Sequence, residues 1–499
     1  MKRSAGILLN VSSMPGKYGI GGFSSDTETC LNNFAGLGFK IWQTLPITTL
    51  GWGNSPYSGI SSYAGNFLYI VPERMDGLIY DYEINEAEYH GGIYLTDYEY
   101  AFQTKKRLIQ LAYSRMTDEI KVKVMEFAKE NKSWLYDYAA FMYLKEKFNQ
   151  AWWIEWGKYS KHSKALVEEV IKEAPYETGY YFFEQYYFYK QWNQIHKYAN
   201  DLGIEVFGDL PMYVCHDSVD VWASPEMFKL GKDNKPTLVA GVPPDYFCAD
   251  GQLWGNPLYD YAEMEKTNYV WWTNRIKHML ELYDILRIDH FRGLCQYWAV
   301  PADAKTAKEG KWMEGPKMNL FKALKKVCPD AKIIAEDLGI IDEKVVKLLE
   351  DTGFYGMRVM QFGFDGDKLN KHLPHNYEKN CVAYTATHDN DTTLGWLLSL
   401  PQNVQQEVLH YVNCDPSMGW ADGAGHCRAT RTFIRAVMQS SADIAIVPMQ
   451  DLCGYGTDTR MNTPGQAEGC WRYRTNYSAM DQVDHQYIRD LITTYGRLW

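Results

Sequence analysis

Short runs of apolar residues recur along the chain, and each run ends in polar side chains. Eight such runs are continuous rather than alternating in polarity, and they occupy residues 6–11, 40–45, 204–209, 283–289, 332–336, 357–364, 381–388 and 443–450. A continuous apolar run is typical of a strand that is buried on both faces, as in a parallel sheet covered by helices. The pattern therefore predicts eight buried strands.

Amphipathic segments lie between most of these runs, and clear examples are residues 270–282, 317–327 and 343–351. Eight strand–helix units in a chain of 499 residues indicate an α/β protein, a (β/α)8 TIM barrel. A doubly wound open sheet is the alternative. No glycine-rich phosphate-binding turn follows any of the runs, so the barrel is the favoured fold.

The spacing of the runs is uneven. More than 150 residues separate the second run from the third, and they contain helical patterns at 95–114, 119–130, 134–147 and 180–201. We therefore expect a single catalytic barrel over residues 1–499, with a mainly helical subdomain inserted at 51–202 after strand two. A smaller insertion with a substrate-binding loop is expected at 215–262. About 49 residues follow the eighth run, too few for a C-terminal β-sandwich.

The net charge and the cysteine pattern limit the kinds of substrate and the cellular location that are expected. The net charge is −11 and no Lys/Arg-rich run occurs, which argues against nucleic acid or an anionic membrane and favours a neutral substrate. Ten cysteines show no C-x-x-C pair or zinc spacing, so we expect reduced thiols in a cytoplasmic protein. No signal peptide is evident, and no apolar stretch approaches the ~18 residues of a membrane span.

Aromatic residues are abundant, with 17 Trp and 38 Tyr. A large core with tyrosine-rich helices accounts for most of them. The alternative is a cleft lined by flat rings that stack on sugars, because Tyr and Trp combine an apolar face with a polar edge.

Carboxylates follow several predicted strands. Asp209, Asp289 and Glu336 stand at the ends of the third, fourth and fifth runs, and the seventh ends in His388 and Asp389. The active site of a TIM barrel lies at the C-terminal ends of its strands, so these side chains should converge on one rim. The pattern predicts an acidic pocket.

Two carboxyl groups that face each other suit glycosidic bond chemistry, in which one attacks the anomeric carbon and the other protonates the leaving oxygen. A Mg²⁺ or Ca²⁺ site is the competing use of such groups. Arg287 lies two residues from Asp289 on the same strand face, which argues against a metal there. Its guanidinium should lower the Asp289 pKa and keep that carboxylate ionised.

Other polar residues near the strand ends have simpler interpretations. Asp337 and Asp451 are expected to be helix N-caps, the commonest role of an aspartate after a strand. For His388, a structural and a functional role are equally compatible with the sequence.

Turn-forming loops with aromatic and amide side chains, which suit a polyhydroxylated ligand, occur at residues 52–57, 243–247, 251–257 and 456–465.

Several of these segments together resemble the 4-α-glucanotransferases, the amylomaltase or disproportionating-enzyme family (glycoside hydrolase family 77). The resemblance is carried by residues 287–293 (RIDHFRG), 335–339 (AEDLG), 387–392 (THDNDT) and 460–465 (RMNTPG). Residues 55–57, 209–214 and 243–257 are also similar, so the likeness runs from near the N-terminus to about residue 474. The family is related to the α-amylases.

The resemblance implies a role for each carboxylate. Asp289 would be the nucleophile that forms a β-glucosyl-enzyme, Glu336 the general acid/base, and Asp389 the group that holds the hydroxyls of the distorted sugar. The family retains anomeric configuration, so the two reacting carboxyl groups should lie about 5–5.5 Å apart.

The resemblance also implies a set of substrate-binding residues. The substrates would be maltooligosaccharides or other α-1,4-glucans, with no cofactor and no metal. The side chains that would contact the sugar are Arg287, His388, Asp209, Tyr57, Gln252, Trp254 and Asn462.

Two positions depart from the family pattern: Cys248 replaces an expected small hydroxyl residue, and Ala386 replaces an expected glycine. Two other functions remain open from the residues alone. One is an α-1,4-glucan hydrolase of the α-amylase superfamily, and the other is a non-catalytic glucan-binding protein. The three intact carboxylates argue against the second, since binding alone does not need them all.

Overall fold

A closed parallel sheet forms the centre of the molecule. The computed structural model describes residues 1–244, 250–466 and 468–499. The strands in these residues are β1 (Ser4–Leu8), β2 (Ile41–Gln43), β3 (Glu205–Leu210), β4 (Leu238–Val242), β5 (Gln252–Pro257), β6 (Ile285–Ile288), β7 (Gln296–Pro301), β8 (Lys311–Glu314), β9 (Ile333–Ala335), β10 (Gly356–Val359), β11 (Cys381–Tyr384) and β12 (Ile444–Pro448).

Eight of these strands pair in the order β10-β11-β12-β1-β2-β3-β6-β9, and every pairing is parallel. A parallel bridge between Ile334 and Tyr355 joins the last strand to the first, and the Ala335 N–H donates to the Tyr355 carbonyl over 2.8 Å. The sheet is therefore a (β/α)8 barrel, which confirms the predicted fold. Each of the eight predicted runs overlaps one barrel strand.

A second, antiparallel sheet has the order β5-β4-β7-β8 and was not predicted. Its strands β4 and β5 come from the region expected to be an irregular insertion, and β7 and β8 follow barrel strand β6. Among the described residues, Val239, Val300 and Ala307 form a small hydrophobic core of its own. So little apolar surface produces no recognisable alternation in the sequence.

Helices cover the barrel and fill the long connection between β2 and β3. They are α1 (Ser25–Leu37), α2 (Asp81–Glu86), α3 (Tyr98–Ser114), α4 (Asp118–Glu130), α5 (Lys132–Lys147), α6 (Lys164–Glu173), α7 (Pro175–Asp201), α8 (Val219–Ala223), α9 (Tyr261–Lys266), α10 (Val270–Leu282), α11 (Arg292–Cys295), α12 (Met318–Val327), α13 (Glu343–Thr352), α14 (Thr393–Ser399), α15 (Gln402–Tyr411), α16 (Arg428–Gln439), α17 (Met449–Leu452), α18 (Tyr477–Asp481) and α19 (His485–Thr494).

The long helix α7 joins the helical connection to the barrel. Its Trp192 packs 6.1 Å from Trp42 of β2, and the Trp192 indole donates to the Leu282 carbonyl over 3.1 Å. Both tryptophans are fully buried. Rings of this kind belong to the core, as the simpler interpretation of the aromatic content predicts.

Two buried glutamines of α7 hold the loop that follows β2. Gln185 accepts the Gly65 N–H over 2.7 Å and donates to the Gly65 carbonyl over 3.0 Å. Gln191 makes the same pair of bonds with Val71, at 2.7 and 3.0 Å. Each amide thus acts like a strand partner for one loop residue and satisfies its backbone groups. The segment that contains Tyr57 is thereby anchored on α7.

The described cysteines form no disulfide: nine of the ten lie in those residues, and all nine are free. None of the described helices is long and apolar enough to cross a membrane.

Close packing of β1 between its neighbours generates a prediction. A Cβ on Gly6 would lie 2.4 Å from Ile446 Cδ1 and 2.9 Å from Ile41 Cβ, both on adjacent barrel strands. Gly6→Ala should therefore lower stability by about 1–3 kcal/mol through overpacking. The melting temperature followed by circular dichroism would measure it.

Gly36→Ala is the matched control. Gly36 lies inside α1, and a Cβ there meets nothing within 4 Å, so alanine should leave the melting temperature unchanged or raise it. Equal melting temperatures for the two variants would contradict the packing of β1.

Candidate active site

The C-terminal ends of four barrel strands bring the predicted carboxylates to one rim. Asp209 is the fifth residue of β3, Asp289 follows β6, and Glu336 follows β9. Asp389 lies five residues beyond the end of β11. The parallel register places Asp209 beside Arg287 and Arg287 beside Ile334 on three adjacent strands.

Arg287 is the centre of a charged cluster at this rim. Its Nη2 lies 2.8 Å from Asp289 Oδ1, 2.8 Å from Asp209 Oδ2 and 3.3 Å from the Tyr57 hydroxyl. The Tyr57 O–H donates to Asp209 Oδ2 over 2.6 Å. Arg287 and Asp209 are buried, whereas 30% of the Asp289 side chain is exposed. One guanidinium therefore orients two carboxylates and leaves Asp289 open to the cleft.

The Asp289 pKa is raised to about 6, which corrects the expectation that Arg287 would lower it. Burial is the largest cause, and the negative charges of Asp209 and Asp389 act in the same direction. Arg287 does oppose them, but it is shared with Asp209. A single positive charge divided between two carboxylates does not outweigh their burial.

In the part of the chain that the structure describes, Glu336 accepts hydrogen bonds from backbone N–H groups only. Its Oε2 accepts from His290 N and its Oε1 from Leu338 N, both over 2.8 Å. Burial and the nearby Asp289 charge raise the Glu336 pKa to about 8. At neutral pH this carboxyl group therefore holds a proton, as a general acid must.

Asp389 differs from Glu336 in that its pKa is lowered and not raised. Burial alone would raise its pKa, but His388, 3.2 Å away, and the Asn462 amide, which donates over 2.7 Å, hold it below its usual range. Arg460 donates to the main-chain carbonyls of both Asp389 and Asn462 over 2.7 Å. Asp389 is therefore ionised and fixed in place.

Three aromatic rings stand beside these carboxylates. The Tyr57 ring stacks on His388 at 5.2 Å and 15°. Trp471 packs against both, at 5.7 Å from Tyr57 and 6.0 Å from His388. Sequence reasoning missed Trp471, because one tryptophan among 17 carries no signal of its own. Its position after the 460–465 loop was the only available clue.

Gln252 and Trp254 lie on β5 and approach the site from the second sheet. The Trp254 indole donates to Gln252 Oε1 over 3.1 Å, and its ring packs edge-on against His290 at 4.9 Å. His290 is the residue whose N–H holds Glu336. These two side chains therefore border the Glu336 side of the cleft. Residues 245–249, which include Cys248, lie outside the described residues.

Asp337 and Asp451 have roles other than the predicted N-caps. Asp337 accepts from Met357 N over 2.6 Å and pairs with Arg358 over 3.0 Å, so it fastens the start of β10 to β9. Asp451 lies within α17, and it accepts from the N–H and the hydroxyl of Thr393, both over 2.7 Å. It thus supports the start of α14, a different helix.

The arrangement as a whole suits acid/base and nucleophilic chemistry on an uncharged substrate. In the described parts of the chain, no group of three or more His, Cys, Asp or Glu side chains is placed to hold a metal ion. The carboxylates instead bond to a guanidinium, an amide or backbone N–H groups.

Comparison with known proteins gives a consistent result. The sequence profile of the 4-alpha-glucanotransferases matches residues 9–479. The 4-alpha-glucanotransferase of Clostridium butyricum is 39% identical over 98% of this chain and 100% of its own length. That of Aquifex aeolicus is 40% identical over 99% of both chains.

A solved structure agrees with these sequences. The amylomaltase from Streptococcus agalactiae in complex with acarbose superposes with a TM-score of 0.94, at 34% identity over 100% of both chains. With the barrel, the acidic rim and these matches together, the chain belongs to the 4-alpha-glucanotransferase family.

Proposed function

We propose that this 4-α-glucanotransferase moves a segment of an α-1,4-glucan to the 4-hydroxyl of an acceptor glucan or glucose, through a covalent glucosyl-enzyme on Asp289. One observation carries the mechanism. Asp289 and Glu336 follow hydrogen-bonded neighbours β6 and β9, yet a guanidinium orients the first while only backbone amides hold the second. One carboxyl group is thus prepared for attack and the other for proton transfer.

In the first step Asp289 attacks C1 of the donor sugar. The bond from C1 to the leaving O4 breaks, the Asp289–C1 bond forms, and the Glu336 proton goes to O4. The attack inverts C1 and leaves a β-linked glucosyl-enzyme. Asp289 must be ionised for this step, which its contact with Arg287 favours.

In the second step the 4-hydroxyl of an acceptor sugar displaces Asp289. Glu336, now ionised, takes the hydroxyl proton, and the second inversion restores the α configuration. Both protonation states of Glu336 are therefore used in turn, which suits a pKa near neutrality.

The remaining polar side chains would hold the reacting sugar. Asp389, kept ionised by Asn462 and His388, would accept the sugar hydroxyls and stabilise positive charge at C1. Tyr57, which is partly exposed and packs against the buried Trp471, would supply a flat face for the ring. An acarbose complex of the Streptococcus agalactiae amylomaltase supports maltooligosaccharides as ligands of this cleft.

Transfer rather than hydrolysis requires that an acceptor sugar binds well and that water does not react. We propose that the helical insertion at 51–202 and the smaller one at 215–262 wall the cleft on a single barrel over residues 1–499. Trp254, which is 38% exposed beside the acid/base side, would receive the acceptor. Binding energy at that position then contributes to stabilising the transition state.

The free cysteines support a cytoplasmic location.

Incubation with maltotriose tests the transfer reaction. We expect glucose together with maltopentaose and longer maltooligosaccharides from the earliest times, because each released segment is passed to another sugar. Chromatography of a time course would measure this. Glucose and maltose without any longer product would identify a hydrolase instead.

Glu336→Gln should lower the transfer rate by about 10²–10⁴-fold while maltooligosaccharide binding is retained, since the amide cannot donate or accept the proton. Glu184→Gln is the matched control. Glu184 is a buried glutamate of α7 whose pKa is also raised by burial, to about 7, and it lies outside the site. An inactive parent protein that still binds glucans would favour the non-catalytic alternative.

The raised pKa values predict a bell-shaped dependence of kcat/KM on pH. Activity needs Asp289 ionised, so it should fall as pH decreases through about 6, and it needs Glu336 protonated, so it should fall as pH rises through about 8. Asp289 and Glu336 interact, so the two apparent pKa values of the profile belong to the pair and not to either residue alone. Initial rates between pH 4.5 and 9.5 would measure both limbs, and Glu184→Gln should not move them.

A further inference from the structure

The acid/base residue depends on two loops for its position. His290 N, which holds Glu336 Oε2, belongs to the turn between β6 and α11. Leu338 N, which holds Glu336 Oε1, belongs to the segment between β9 and α13. The carboxyl group keeps its orientation only if these two segments keep their relative positions.

Arg292 connects the same two segments. It is the first residue of α11, two residues after His290. Its Nη1 donates to the Ile340 carbonyl over 2.5 Å, and its Nη2 lies 3.2 Å from Asp342 Oδ2. Asp342 is in turn the N-cap of α13, where its Oδ1 accepts from Lys344 N and Val345 N. Arg292 thus reaches across from the His290 segment to the Leu338 segment.

The guanidinium is held rigidly in this position. It lies 3.9 Å from the centre of the Trp312 ring of β8, a geometry typical of a cation–π contact. The Arg292 side chain is only 6% exposed. His290 has a φ of +46°, an uncommon backbone conformation for a residue with a side chain. Such a conformation persists only where surrounding contacts maintain it.

We propose that Arg292 is a positioning residue for general acid/base catalysis, which ties the His290 and Leu338 segments together so that both their N–H groups stay on Glu336. The proposal rests on the function proposed above. Arg292 does not touch the substrate in this assignment. It acts through the two backbone amides.

This role has a specific chemical signature. Loss of Arg292 should impair steps that need proton transfer by Glu336 and spare a step that does not. Fluoride is a leaving group that departs as an anion without protonation. With α-maltosyl fluoride, the C1–F bond breaks and the Asp289–C1 bond forms with no proton from Glu336.

The test compares two substrates in Arg292→Met, whose side chain still packs on Trp312. Maltotriose disproportionation should fall by about 30-fold, less than the roughly 10²–10⁴-fold loss expected when the acid/base group itself is removed. Fluoride release in a single turnover, with enzyme in excess, should change less than about 3-fold. The basic limb of the pH profile should also move upward, because the two N–H bonds that lower the Glu336 pKa are loosened.

Arg431→Met is the matched control. Arg431 also lies 3.9 Å from an aromatic ring, that of Tyr487, and 2.9 Å from a carboxylate, that of Asp484, but it stands on the outer helix α16. It should show normal rates and an unmoved pH profile. Arg292→Lys, which keeps the charge and part of the contacts, should give an intermediate rate. Thermal melting shows whether each variant is folded.

Equal losses on the two substrates with an unmoved basic limb would overturn the proposal, since a merely structural role predicts them. The same holds if Arg292→Met transfers at the parent rate. Failure of the proposed function looks different. The parent protein itself would then release no fluoride, or it would form no maltooligosaccharide longer than maltotriose.

Discussion

Arg287 places one positive charge between two carboxylates at the rim of the barrel, and the site is organised around that charge. Its Nη2 contacts Asp289 and Asp209 at the same distance of 2.8 Å, while Tyr57 closes the cluster by donating to Asp209. The register of β3 with β6 makes Asp209 and Arg287 direct neighbours. The β3–β6 pairing is therefore needed for Arg287 to contact both carboxylates.

The three carboxyl groups differ in pKa because their surroundings and hydrogen-bond partners differ. His388 and the Asn462 amide keep Asp389 ionised, whereas burial and the nearby Asp289 charge give Glu336 a proton near neutral pH. Asp289 lies between these extremes. Three chemically similar side chains thus differ because of their partners, and those partners come from separate elements of the fold.

The sequence was most informative where a local pattern determines the structure. Each continuous apolar run overlaps a barrel strand, because burial on both faces leaves a direct signature in the residues. The antiparallel sheet was missed, since its core of Val239, Val300 and Ala307 is too small to leave one. The raised Asp289 pKa was also missed, because it depends first on burial and then on the charges of Asp209 and Asp389, which only the folded chain brings together. Trp471 was missed as well, because only folding places its ring beside His388.

The two glutamines of α7 have a consequence for how the site is assembled in time. Gln185 and Gln191 are each 120 residues later in the chain than Gly65 and Val71, the loop residues they bind. During synthesis the Tyr57 segment emerges long before the helix that anchors it. Contacts of such sequence separation form slowly, because a large loop has to close first. The Tyr57 segment is therefore anchored only after α7 has been made, and a half-synthesised chain, which still lacks Arg287, has no working active site.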